Sequence, residues 1–199
     1  MMEEPILDWS AAILAVKGET VSGDMYLVRP FSDGALVAAV DGLGHGPEAA
    51  ASAQAALSVL EASPAQPVVS LVRACHQALR GMRGVVMSLA SFNRRANTMT
   101  WLGVGNVEGC LLRANHAREG LLLRGGIVGH KLPALVAITV PVSAGDTLIF
   151  ASDGIRSDFA ENLDVKAPTQ RLASDILTRC AKNTDDAMVV VARYLSGAS

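Results

Sequence analysis

The sequence predicts an α+β protein in which helices pack on antiparallel sheets. Three observations lead there. The chain has 199 residues, 50% of them apolar and only 4% aromatic, enough to build one core from Ala, Val and Leu without staples. Its middle third reads as consecutive strands joined by short loops, and short loops force antiparallel pairing because parallel strands need long crossovers. The order of elements is strands, two helices, a meander, one helix and one strand, which is not a steady βαβα alternation.

The elements follow in order. Residues 11–17 and 25–29 are apolar runs that read as the first two strands, separated by a loop over 18–23. Ser32-Asp33-Gly34 is a turn signal, and 35–40 is a continuous apolar strand. Pro47 suits a first helical position and Glu48 suits the positive end of the helix dipole, so a helix runs from there to Glu61. A break over 63–67 precedes a second helix with Val68, Leu71, Val72, Cys75 and Leu79 on one face. Strands are expected at 85–91, 98–104 and 107–113, with turns at 93–97 and at Gly105-Asn106, the latter read as a two-residue hairpin. Further strands near 120–124, 135–142 and 146–152 lead to a helix near 168–182 and a last strand over 188–192. The whole chain, 1–199, reads as one domain.

Composition excludes several classes. Lys and Arg total 17 against 19 Asp and Glu, so there is no basic footprint for nucleic acid. Arg94-Arg95 is the only adjacent basic pair, and it falls on a hairpin tip. Cys75, Cys110 and Cys180 are odd in number and form no CxxC, which argues against disulfides or a zinc site and for a reducing, cytoplasmic setting. No apolar run approaches the ~18 residues of a membrane span. The acidic start, Met-Met-Glu-Glu-Pro, is wrong for a secretory signal.

The chemistry lies in the aspartates. Val40-Asp41-Gly42-Leu43-Gly44-His45-Gly46 sits between a strand and a helix, the order of a phosphate-cradling loop. Its spacing is GxGxG rather than GxGxxG, no Walker lysine follows, and Asp41 repels a phosphate unless a cation lies between them. Asp24, Asp153 and the pair Asp185-Asp186 also border apolar strands, each beside Gly or another Asp. Each site alone is an ordinary turn. If those strand ends converge, four or five carboxylates meet in one cleft, a cluster that needs a cation. All-oxygen donors select Mg²⁺ or Mn²⁺, and two such ions can activate water and neutralise a phosphate.

The ordered set Ser22-Gly23-Asp24, Asp41-Gly42-Leu43-Gly44-His45-Gly46, Arg83-Gly84, Gly103-Val104-Gly105-Asn106, Ser152-Asp153-Gly154 and Asp185-Asp186 resembles the PPM (PP2C-like) metal-dependent protein phosphatases, in particular the compact bacterial branch of sporulation and stress-response enzymes. The resemblance implies an αββα four-layer sandwich and a centre of two Mn²⁺ or Mg²⁺ ions. It implies that Asp41 bridges the ions, that Gly42 gives its carbonyl and Asp24 stands beside it, that Asp153 and Asp185 hold the second ion, and that Asp186 supports from behind. A bridging hydroxide then attacks phosphoserine or phosphothreonine, with Asp41 and Asp153 as the catalytic carboxylates. The implied substrates are phosphorylated STAS-domain proteins of a stressosome, and the implied state is a monomer.

Three departures accompany the resemblance. No Arg precedes Asp24 to clamp phosphate, Lys17 being the only cation nearby. Leu43 stands where larger relatives place a histidine, and His45, two residues later, becomes the candidate proton donor beside water. The segment 114–136 is short for a substrate-gripping flap. A silent phosphoprotein-binding module of the same fold, a nucleotide-binding protein and a small-molecule phosphatase remain as alternatives.

Overall fold

The computed structural model describes residues 5–195. Eleven strands and three helices are present among them. One sheet joins β1 (Leu7–Leu14), β11 (Ala187–Tyr194), β10 (Thr147–Ala151), β6 (Glu108–Leu112) and β7 (Arg118–Gly120) in that order. The other joins β2 (Asp24–Phe31), β3 (Gly34–Gly42), β4 (Val85–Asn93), β5 (Thr98–Val104) and β8 (Leu123–Arg124), with β9 (Ile138–Pro141) also paired to β5. Helices α1 (Pro47–Ala62) and α2 (Val68–Ala78) cover the β3 sheet, and α3 (Thr169–Cys180) covers the β11 sheet. The layers are therefore αββα. All pairings between named strands are antiparallel except the short one between β5 and β8.

The period of two in the central strands explains the layers. Along β3, Leu36, Ala38 and Val40 face α1 and α2, whereas Ala35, Val37 and Ala39 face the other sheet. β4 alternates in the same way, with Val85, Met87 and Leu89 under the helices and Val86, Ala90 and Phe92 between the sheets. In β11, Met188, Val190, Ala192 and Tyr194 fill the inter-sheet core while Ala187, Val189 and Val191 meet α3. Strands buried on both faces read as unbroken apolar runs, which is why they stand out in the sequence. The α2 face is the one its periodicity predicts: Val68, Leu71, Val72, Cys75 and Leu79 are all buried. Helix α1 is built from small residues because it comes close to the sheet. A Cβ on Gly42 would overlap the Ala49 carbonyl oxygen.

Two expectations are corrected. The first strand lies at Leu7–Leu14, earlier than 11–17, because it pairs along its full length with β11, from Leu7 opposite Tyr194 to Leu14 opposite Ala187. Residues 15–17 are left as loop. Gly105-Asn106 is not a hairpin. β5 and β6 belong to different sheets, and the chain crosses between them here. Gly105 has φ +96°, a backbone that L side chains rarely adopt, and the Ser88 hydroxyl donates to the Val107 carbonyl at 2.6 Å to seat the crossing. The segment 114–136 does not project as a lobe. It is woven in through β7, β8 and a bridge between Val85 and Val128.

All three cysteines are free and buried. Burial pushes the Cys75 thiol up to about 12, and its Sγ points at the Ala56 carbonyl, 3.7 Å away. A thiol of this kind has almost no thiolate at neutral pH. Ellman's reagent at pH 8 is therefore expected to leave Cys75 unmodified in the folded protein and to react with all three cysteines only after denaturation.

Candidate metal centre

The strand directions bring one set of loops to one end of the sandwich. β2 starts there at Asp24 and β3 ends there at Asp41, and the two aspartates are register partners. The loop after β10 carries Asp153, and the loop before β11 carries Asp185 and Asp186. Asp24 and Asp41 thus come from one sheet, and Asp153 and Asp185 from the other.

Hydrogen bonds sort these carboxylates. Asp186 is buried and uses both oxygens on backbone N–H groups, those of Val16 at 2.8 Å and Gly23 at 2.6 Å. It holds the loop that leads into Asp24. Asp24 is also buried, and its Oδ2 accepts from the Ser152 hydroxyl at 2.6 Å. Ser152 in turn accepts from the Met188 N–H at 2.9 Å, so one hydroxyl ties the two sheets together at the site. Asp153 Oδ2 accepts from the Asn106 amide at 2.8 Å, and the Asp153 carbonyl accepts from Lys182 Nζ at 2.6 Å. Asp185 is exposed and takes the N–H of Asp186 at 2.9 Å. The Asp41 carboxylate accepts no hydrogen bond from any described residue.

The electrostatics follow. Burial, then the charges of Asp24, Asp153, Asp185 and Asp186, raise Asp41 from 3.8 to about 8. Burial raises Asp24 to about 7 against the opposing Ser152 hydrogen bond, with Asp186, Asp153 and Asp185 adding to the rise. Among the described residues no three His, Cys, Asp or Glu side chains are drawn to one point as a finished ligand cage. In donor type and charge, however, the set fits a hard divalent cation: oxygen donors only, mutually repelling, with no hydrogen bond to the Asp41 carboxylate from any described residue.

The other expected residues are placed as follows. Gly42 is buried, beside Asp41 at the end of β3. His45 is not among the carboxylates. It lies exposed on the glycine loop with Nδ1 2.8 Å from Glu19 Oε1. Lys17 is exposed on the loop that Asp186 holds. Arg83 is exposed, between α2 and β4. It pairs with Glu48, and its Nη1 lies 2.8 Å from where a Cβ on Gly44 would be. Sequence reasoning missed Asn106, Ser152 as a tether, and Glu19.

Comparison with known proteins identifies the family and the fold. The family model for Stage II sporulation protein E (SpoIIE) matches residues 32–195. The chain belongs to the SpoIIE family. Its fold is that of the PP2C phosphatases, and it is a PP2C-type protein phosphatase. It is 23% identical over 171 residues to the phosphoserine phosphatase RsbX of Bacillus subtilis (strain 168), covering 85% of this chain and 86% of that one. The crystal structure of RsbX in complex with magnesium superposes with a TM-score of 0.86 at 23% identity, over 96% of this chain and 97% of the other. A structure from work on the bacterial stressosome as a modular system adapted to control secondary messenger signalling matches with a TM-score of 0.86 and 30% identity, over 94% of this chain and 99% of that one.

Two measurements test the site. Native carboxyls raised in this way bind more protons than the unfolded chain does between about pH 4 and pH 8. Metal-free protein is therefore expected to lose stability as pH rises through that window, and Mn²⁺ to raise the melting temperature more at pH 8 than at pH 6. Asp41→Asn removes one repelling charge, so its metal-free melting temperature at pH 8 is expected to rise by about 3 °C and its Mn²⁺ shift to disappear. Asn106→Ala frees Asp153 Oδ2 and is expected to weaken Mn²⁺ binding, read by calorimetry, about tenfold or more.

Proposed function

We propose that this phosphatase hydrolyses phosphoserine or phosphothreonine on a partner protein, using two divalent cations held by Asp24, Asp41, the Gly42 carbonyl, Asp153 and Asp185. The observation that carries the reading is the arrival of four aspartates, two from each sheet, at one end of the sandwich, with Asp41 raised to about 8 and its carboxylate without a hydrogen bond from any described residue. Bound there, Mn²⁺ or Mg²⁺ supplies an activated water and neutralises phosphate charge.

The chain's own residues do the rest. Asp41 and Asp153 set the nucleophile from opposite sheets. Ser152 and Asn106 fix the orientations of Asp24 and Asp153. His45 is assigned to protonate the leaving oxygen of the serine or threonine as the P–O ester bond breaks. Its Nδ1 is engaged by Glu19, which leaves Nε2 for the transfer. The missing arginine before Asp24 leaves substrate positioning to contacts outside the reacting group.

The substrate assignment rests on likeness. RsbX is named a phosphoserine phosphatase, and a neighbour of 30% identity comes from work on the bacterial stressosome. A phosphorylated STAS-domain stressosome protein is the substrate we assign, with the enzyme acting as a monomer in the cytoplasm to reset stress signalling. No helix of the described residues is long and apolar enough to cross a membrane.

The test is hydrolysis of p-nitrophenyl phosphate and of a phosphoserine protein, with Mn²⁺ and with EDTA. Turnover is expected only with Mn²⁺ and is expected to fall at least a thousandfold, by roughly 4 kcal/mol, in Asp153→Asn. Turnover that survives EDTA or the substitution overturns the assignment.

A further inference from the structure

Residues 120–145 contain no Asp or Glu, although the chain as a whole has a net charge of −2. Part of that stretch lies at the carboxylate end of the molecule. β8 runs parallel to the end of β5, pairing Arg124 with Val104, and the Gly105 N–H donates to the Arg124 carbonyl at 2.8 Å. Arg124 is therefore beside the Gly105-Asn106 crossing whose amide reaches Asp153. Val128 bridges to Val85, and Ile127 bridges to Lys131, which places Lys131 near the start of β4. Arg83 lies two residues before the start of β4, against the glycine loop.

Arg83, Arg124 and Lys131 are all exposed. Among the described residues, neither Arg124 nor Lys131 has a carboxylate partner. Arg83 has one, Glu48, but the side chains are 47% and 71% exposed, so solvent screens the pair and an incoming anion can compete for the arginine. The three cations follow the sheet away from Asp41. The register runs from Val40 to Met87 to Val104 to Arg124, three strand spacings, or roughly 14 Å. An extended peptide covers that distance in about four residues.

We propose that this basic rim docks an acidic stretch of the substrate lying within about four residues of the phosphorylated side chain. The inference rests on the phosphatase reading above and names the flank that the enzyme selects. The rim lies outside the carboxylate cluster and takes no part in breaking the ester bond. It supplies from the protein's surface the positioning that the loop before Asp24, without an arginine, does not provide.

The experiment measures fluorescence anisotropy of labelled peptides carrying a non-hydrolysable phosphonate analogue of phosphoserine, with acidic, neutral or lysine-rich flanks placed on either side of it. Proteins are wild type, Arg124→Glu and Lys131→Glu, each with Mn²⁺, at about 50 mM and about 300 mM salt. Wild type is expected to bind the acidic flank at least fivefold more tightly than the neutral one at low salt, with the preference shrinking at high salt. Each reversal is expected to remove most of that preference and to improve binding of the lysine-rich peptide. Hydrolysis of p-nitrophenyl phosphate and the melting temperature are expected to stay at wild-type levels. No flank preference in wild type, or a preference that survives both reversals, overturns the rim. Loss of p-nitrophenyl phosphate turnover in the reversals also overturns it, since the residues then act on the reaction itself. If wild type shows no metal-dependent turnover of any ester, the phosphatase reading fails, and the flank preference still decides whether the rim binds acidic chains.

Discussion

Repulsion among aspartates at one end of a sandwich is the constraint around which this molecule is arranged. Like charges brought together in a partly buried place take up protons or find partners. The fold gives partners to some and withholds them from one. Asp186 is satisfied by two backbone amides, Asp24 by the Ser152 hydroxyl, Asp153 by Asn106 and Asp185 by the backbone N–H of Asp186. Among the described residues nothing donates to either carboxylate oxygen of Asp41. The most strongly raised carboxyl is thus the one that the resemblance places between two ions. Under the reading proposed above, a cation would be the missing partner, an arrangement in which local stability is given up where a site binds what the fold does not itself supply.

Much of the fold was legible because it depends on local periodicity. The run Ala35 to Val40 could only be a strand covered on both faces, and Val68, Leu71, Val72, Cys75 and Leu79 could only share a helix face. The β5–β6 crossing was not legible. A glycine at positive φ before Asn marks a sharp change of direction, but the same residues serve a hairpin and a jump between sheets. What decides is the partner of the next strand, and β6 pairs with β10, far along the chain. The start of β1 was misplaced for a similar reason: its length is set by β11, at the opposite end of the sequence.

The site divides along the same line. Aspartates next to glycine at strand borders are visible one at a time, and their order carried the family resemblance. Their supports are not. Asn106 meets Asp153 across 47 residues of sequence, and Ser152 meets Asp24 across 128. Asn in a turn and Ser before Asp have local uses that account for them fully. Only the folded chain shows that each also steadies a carboxylate from a distant element. His45 illustrates the converse. Its place in a glycine loop suggested chemistry, and the structure adds the Glu19 contact that fixes one ring nitrogen.

Because the carboxylates are shared between two sheets, their separations depend on how the sheets are held. At the site end the link is the Ser152 hydroxyl, which accepts from Met188 in one sheet and donates to Asp24 in the other. Toward the opposite end Phe92 and Tyr194 stack across the core with ring centroids 5.9 Å apart, and the Tyr194 hydroxyl donates to Asn97 at 2.7 Å. Between these clamps lie Val37, Ala39, Val86, Phe150 and Val190, packed without polar partners. Interiors of this kind transmit changes in volume rather than absorb them. The inter-sheet core is therefore part of the site: it sets the distance between Asp24 and Asp41 on one side and Asp153 and Asp185 on the other.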